Sequence, residues 1–306
     1  MPPATHLRKE VSVSVKYAFI CGEEGNYPVE KMCAWARVSR SGYYEWRGRG
    51  PSAGALRRRQ LAVMVKWSFE DSDGTYGYRR VHAHLARVGQ VAHSETIRQI
   101  MRELGLVACQ PRPWRPTTTV AGAAVSTPDL VLRDFTSDTP ATKLVGDVTY
   151  IATWQGWLYL ATVLDCHTKQ VVGYAMTDHL RTSLIIDALT MAARNITIRT
   201  GVTIFHSDRG CQYTSQEFAD FADDLGIRRS LGRTGTCYDN AWAESFNGTL
   251  KNERVNRTVY PTREQARVDI TAYIELRYNQ KRLHSALGYM TPNEAERNWF
   301  EQDQAA

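Results

Sequence analysis

Residues 143–154 read KLVGDVTYIATW, and the organisation of the whole chain follows from them. Val145, Val148, Thr149, Tyr150 and Ile151 favour a pleated strand. In the middle of that strand stands Asp147, whose neighbours Val145, Val148 and Ile151 supply no cation. A carboxylate taken out of water on a central strand is costly unless something pairs with it. GWLYLATVLDCHT at 156–168 is the next strand, and KQVVGYAMTD at 169–178 follows after a tight turn. Three strands in succession predict an antiparallel meander.

Downstream the period changes. TSLIIDALTMAARNI at 182–196 is an amphipathic helix, and VTIFHSD at 202–208 is a short buried strand ending on Asp208. TSQEFADFADDLG at 214–226 is a second helix, with Thr214 or Ser215 as its cap. IRRSLG at 227–232 is a fifth strand, and a further helix follows. The order βββαβαβα predicts a five-stranded mixed sheet with helices on both faces.

That last helix lies in TCYDNAWAESFNGTLKNE, residues 236–253, with Asp239 or Asn240 placed to cap its start. At 100° per residue Glu244 and Lys251 nearly overlie, and Asn247 lies beside them. Trp242, Phe246 and Leu250 cover other faces. A solvated polar stripe explains this helix taken alone. The sheet changes the weighing: if the first and fourth strands are adjacent, Asp147 and Asp208 become neighbours, and packing the last helix over that edge brings Glu244 to the same point. Carboxylates about 4 Å apart repel by about 4 kcal/mol per pair at an effective dielectric near 20. A divalent cation removes that cost, and an all-oxygen donor set suits Mg²⁺, with Mn²⁺ able to substitute. Two such ions can activate a hydroxyl and stabilise the leaving oxygen of a phosphodiester.

The rest of the composition narrows the class. With 43% hydrophobic residues in 306, the chain can build a sizeable core. No apolar run approaches the roughly 18 residues that span a membrane, and the start has no secretory core. Six cysteines form no C-x-x-C pair, so a disulfide framework or zinc site is not expected and a reducing cytoplasm is. Residues 1–116 carry 19 Lys/Arg against 10 Asp/Glu; residues 117–306 carry 19 against 22. A basic front suits a polyanion partner, DNA above all.

That front reads as helices. Residues 28–46 predict helix, turn, helix, with SRSG supplying turn and cap, and GRGPSAG at 48–54 is a linker. Residues 55–106 predict further helices, the last capped by Ser94, with Ile97, Ile100, Met101 and Leu104 as its apolar stripe. Arg98 and Arg102 lie off the stripe and, with Arg79 and Arg80, are candidate DNA contacts. His82 and His84 read as helix-surface residues. Residues 111–142, rich in Pro, Thr and Ala, predict an extended linker. The tail, 257–306, predicts one long helix and a disordered-looking end.

Residues 143–253 resemble the catalytic core of the DDE transposases and retroviral integrases, which share the ribonuclease-H-like fold. The resemblance is to the OrfB proteins of bacterial insertion sequences, carried by GDVTYI, FHSDRGCQYTS and TCYDNAWAESFNGTLKNE. Thirty-five residues separate Asp208 from Glu244, the family's spacing. SRSGYYEW, YGYRRVHAHL, MRELGL and YNQKRLHSALGYMTPNEA extend the likeness over about residues 16 to 298.

The resemblance implies five parts: a helix-turn-helix-like region at 1–50, a second helix-turn-helix domain at 51–110, the linker at 111–142, the core at 143–256 and a helical extension at 257–306. It implies that Asp147, Asp208 and Glu244 hold two Mg²⁺, and that DNA is cut at an element end to free a 3′-hydroxyl that attacks target DNA. Lys251 matches the lysine placed beside the donor DNA end, and Asn247 would contact DNA near it. His206, Ser207 and Arg209 would support the second aspartate. Tyr150 and Trp154 could line the groove, but core packing is the expectation. The partners implied are terminal repeats, target DNA, further copies of the chain on DNA and an OrfA partner or fusion, with no membrane, at the bacterial nucleoid. Two readings compete. Asp165, assigned to the turn after the second strand, keeps a ribonuclease-H-like nuclease in view. A DNA-binding regulator with a decayed core is the other, and the intact triad argues against it.

Overall fold

The computed structural model describes residues 11–110, 127–233 and 237–305. The chain divides into two compact units, Met1–Lys66 and Trp67–Ala306.

In the first unit α1 (Val13–Gly22), α2 (Val29–Ala36) and α3 (Arg40–Gly48) close around Tyr17, Ile20, Met32, Cys33, Ala36 and Tyr43. The turn between α2 and α3 is the one the sequence predicts. Arg37 ends α2 in the left-handed region, and the Ser39 hydroxyl accepts from the Gly42 N–H to cap α3. Next comes α4 (Ala53–Asp71).

The second unit opens with α5 (Tyr78–Arg87) and α6 (Ser94–Glu103). Ile97, Ile100 and Met101 are the buried stripe of α6, as their spacing requires, but Leu104, at the C-cap where the helix ends, is exposed. The cap falls one residue earlier than expected: Ser94 is the first helical residue, and His93 Nδ1 accepts from the Glu95 N–H. His84 is half-buried rather than fully on the surface. Its ring stacks on Trp67 and its Nδ1 bonds Ser68, so it belongs to the packing of α5 on the end of α4.

Residues 127–142 carry no helix or strand, yet they are strapped to the sheet. The Leu130 N–H donates to Ser230, and Val131 is buried. The sheet holds β1 (Lys143–Thr153), β2 (Gly156–Asp165), β3 (Val171–Thr177), β4 (Ile204–Ser207) and β5 (Arg228–Leu231) in the order β3-β2-β1-β4-β5. β1, β2 and β3 form the expected antiparallel meander; β4 and β5 run parallel to β1. On one face α7 (Thr182–Asn195) and α8 (Gln216–Asp224) bury Leu184, Leu189, Phe205 and Phe218. Gly173 lets α7 approach β3, because a methyl group there would strike the Ala188 carbonyl. On the other face α9 (Ala241–Glu253) and α10 (Arg263–Ala272) bury Val145, Ile151, Phe246, Leu250 and Ile270.

The tail departs from its reading. Its long helix becomes a wider π-helical turn at Tyr273–Asn279, and the end expected to be disordered, beyond Phe300, continues the helix α11 (Pro292–Ala305). Asn279 is the last residue of that turn. Its side chain both accepts from the Val171 N–H and donates to the Val171 carbonyl, sealing the edge of β3 as another strand would.

Candidate active site

β4 is short. It pairs with β1 only over Lys143–Val145, so β1 loses that neighbour just before Asp147. Gly146 makes the divergence tight, because a side chain there would collide with the Phe205 ring of β4. Asp147 therefore opens into the cleft where two strands part, and Asp208 is the first residue beyond the end of β4. α9 crosses over this cleft and supplies Glu244.

The three carboxyls form one electrostatic unit. Asp147 is half-buried, and burial, then the charges of Asp208 and Glu244, push its carboxyl up to about 7. Glu244 is also raised, by burial and then by Asp208, although its side chain reaches solvent. Asp208 is exposed, its Oδ1 accepting from the Gly210 N–H. Among the described residues no three acidic, histidine or cysteine groups are already drawn together as metal ligands. The donor set nevertheless fits a hard divalent cation: oxygen only, partly recessed, with mutual repulsion that a cation would relieve.

Of the two polar residues further along α9, Asn247 is buried and Lys251 is partly exposed. Asn247 is 7% exposed, and its amide donates to Asp147 Oδ2 at 2.8 Å. The Val148 N–H donates to Oδ1 at 2.8 Å, so both oxygens of Asp147 are oriented. Asn247 thus orients the Asp147 carboxylate through its Nδ2, while its buried Oδ1 has no hydrogen-bond partner among the described residues. Lys251 lies across the free edge of β1, its ammonium 4.8 Å from the centre of the Tyr150 ring. Burial lowers its pKa, and Asp147 pulls it back up.

The supporting residues divide. His206 is fully buried; its Nε2 faces the Asp239 carbonyl, which can only accept, so Nε2 carries the proton and Nδ1 accepts from Ser230. It joins β4 and β5 to the 3-10 turn Cys237–Asn240 that precedes α9. Ser207 is buried with its hydroxyl on the Asp208 carbonyl, and Arg209 Nε donates to the Gly232 carbonyl. Asp239 does not cap α9. Its carboxylate is shared by Arg133 at 2.6 Å and Arg233 at 2.9 Å, which hold it well below the usual carboxylate range. The Asn240 amide donates to the Gly146 carbonyl beside Asp147. Sequence spacing gave no signal for Arg133 and Arg233, which lie a hundred residues apart. Thr162 lies directly opposite Asp147 on β2, and its buried hydroxyl has no hydrogen-bond partner among the described residues.

Asp165 is the last residue of β2, and its carboxylate organises the turn that follows. Its oxygens accept from the N–H groups of Ala141, His167 and Thr168. Tyr150 and Trp154 correct the packing expectation, since both are exposed. Among the candidate DNA contacts Arg79, Arg98 and Arg102 are exposed, with Arg98 paired to Glu95. Arg80 is drawn inward instead. Its Nε donates to the Leu283 carbonyl and its guanidinium lies over Tyr76, so it braces α5 against the tail.

Fold and site together define an integrase-core polynucleotidyl transferase of the DDE class. Models of the integrase core domain match residues 137–237 and 225–292, and an HTH-like domain matches residues 55–114. The chain belongs to the integrase-core transposases of bacterial insertion sequences. It is 38% identical to the insertion element IS600 31 kDa protein of Shigella sonnei over 85% of this chain and 96% of that one. It is 34% identical to transposase InsF of insertion sequence IS3A from Escherichia coli K12, over 92% and 98%. It is equally identical to the IS904 transposase of Lactococcus lactis, over 81% and 98%. Among solved structures, the magnesium-bound catalytic core of HTLV-2 integrase aligns with 51% of this chain and 97% of that one at 19% identity; its TM-score of 0.39 lends no weight. No helix among the described residues is long and apolar enough to cross a membrane.

Proposed function

We propose that this transposase cuts DNA at the ends of its insertion element and joins the freed 3′-hydroxyl to target DNA, in a reaction dependent on Mg²⁺. The observation that carries this reading is the convergence of Asp147, Asp208 and Glu244 from β1, the end of β4 and α9, with Asp208 and Glu244 both raising the pKa of Asp147 and Asp208 raising that of Glu244. These three would hold the cations, which when bound supply an activated hydroxyl and charge neutralisation at the phosphorus. The protein's own groups do the rest. Asn247 and the Val148 N–H fix Asp147 in one rotamer. Lys251, beside Asp147, presents a cation to the phosphate backbone next to the scissile bond. Asp239 and Asn240 hold the start of α9, so that Glu244 keeps its height above the cleft. Arg79, Arg98 and Arg102 would grip the terminal repeat through phosphates, with an OrfA partner contributing to end recognition. Holding two element ends at once calls for at least two copies of the chain on DNA.

A nuclease without strand transfer finds less support, because the additional carboxylate it would use, Asp165, is already satisfied by backbone donors. The test is a Mg²⁺-dependent assay on labelled element-end DNA with a target duplex present, wild type against Glu244→Gln. Wild type should yield both a nicked end and a joined product, and the variant neither. Equal cleavage by the two would end this reading, and nicking without joining would favour the nuclease.

A further inference from the structure

Beyond Asp147 the free edge of β1 leads to three aromatic side chains on the β1–β2 hairpin. Tyr150 is 54% exposed, Trp154 77% and Trp157 49%. Tyrosine and tryptophan rings are not normally left in water in such a group. They are also organised. Tyr150 and Trp157 meet edge to face with centroids 5.0 Å apart, and Lys251 caps the Tyr150 ring. Arg263 closes the far side, its Nε bonded to the Trp157 carbonyl and its guanidinium 4.0 Å from Asp178. Along a strand, Tyr150 lies roughly 10 Å from Asp147 and Trp154 roughly 23 Å. Three residues apart, Asp147 and Tyr150 point to opposite faces of β1, and Lys251 of α9 reaches the Tyr150 ring, so the aromatic surface meets the cleft at the free edge of the strand and runs outward from there.

We propose that this hairpin is a stacking platform for unpaired bases of the DNA strand whose 3′ end enters the active site. The inference rests on the function proposed above. Cations beside exposed rings are what single strands require: the phosphate meets Lys251, and the base meets the ring. A paired duplex offers the rings nothing, because its bases are already stacked on one another. A 3′ end that reaches the recessed Asp147 has to leave the duplex, which costs a few kcal/mol of stacking and pairing. The aromatic hairpin returns part of that cost next to where it arises. The tip is steadied for the role, since the Trp154 N–H donates to the Tyr260 carbonyl and Thr153 bonds the Gly156 carbonyl.

The test uses the full chain carrying Glu244→Gln, so that binding is read without cleavage. Its probes are a blunt duplex of the element end and the same duplex with a short unpaired 3′ tail. The tailed probe should bind about tenfold more tightly. Trp154→Ala and Tyr150→Leu should each remove most of that preference while leaving blunt-duplex affinity unchanged, and Tyr150→Phe should keep it. An abasic tail should bind no better than the blunt end. Equal affinity for both probes, an abasic tail that binds as well as a normal one, or variants that melt normally and retain the preference would each overturn the proposal. Variants that instead lower the sedimenting mass while keeping the preference would also overturn it, assigning the surface to a second copy of the chain. The two readings fail separately: wild-type cleavage abolished by Glu244→Gln, with no preference for the tail, sinks the platform alone.

Discussion

Asp147 is the residue at which sequence, fold and chemistry meet, and its charge is held at a cost. Its carboxyl titrates at about 7 instead of the ordinary 3.8, so the folded chain binds this proton more tightly than the unfolded chain does. Without divalent metal, stability therefore falls as pH rises from about 4 to about 7, by up to about 4 kcal/mol, and no further above that. Asp147→Asn should flatten that part of the curve, measured by denaturant unfolding in chelator. Added Mg²⁺ should raise the melting temperature at pH 8 more than at pH 5 in the wild type, and little in Asp147→Asn. Asn247 acts on the same carboxylate. Asn247→Ala should slow cleavage roughly 10- to 100-fold, as loss of a group that orients a metal ligand does. An unchanged binding affinity for blunt element-end DNA would separate that effect from lost DNA contact.

At the scale of elements, α9 is fixed at both ends. Its start is tied by Asn240 to β1, and its last residue, Glu253, is buried in a bidentate pair with Arg282 and accepts from Tyr273. The sequence marked neither partner, because Glu253 looks like an ordinary solvated acid and Arg282 lies 29 residues further on. Arg282→Met should cost about 3–5 kcal/mol by stranding a buried carboxylate, while Glu253→Gln with Arg282→Met should cost clearly less. Chemical denaturation of the single and double variants measures both. β1 and β4 make a second such contact. Gly146→Ala should destabilise by about 1–3 kcal/mol, since the new methyl group meets the Phe205 ring. Suppression by Phe205→Leu would identify that collision as the cause.

Across the whole molecule the charge asymmetry of the chain becomes a prediction about salt. Affinity for element-end DNA should fall steeply with ionic strength, with Arg98→Ala and Arg102→Ala each reducing the log–log slope by about 1. Arg80→Ala should act differently, lowering thermal stability because its guanidinium braces the fold from within. The sequence by itself determined the order of strands and helices in the core, the meander and the apolar faces, and it singled out Asp147, Asp208 and Glu244 as the candidate carboxylates. These follow from local periodicity and from the expense of a carboxylate on a buried strand, both of which are written in neighbouring residues. Only the tertiary structure decided that Asn247 serves Asp147, that Arg80 turns inward, that Asp239 is clamped by Arg133 and Arg233, and that Tyr150 and Trp154 stay in solvent. Each of those outcomes depends on which side chain arrives from a distant segment to satisfy a donor, an acceptor or a ring. The hydrogen-bonding capacity of a residue is local, but its partner is chosen by packing.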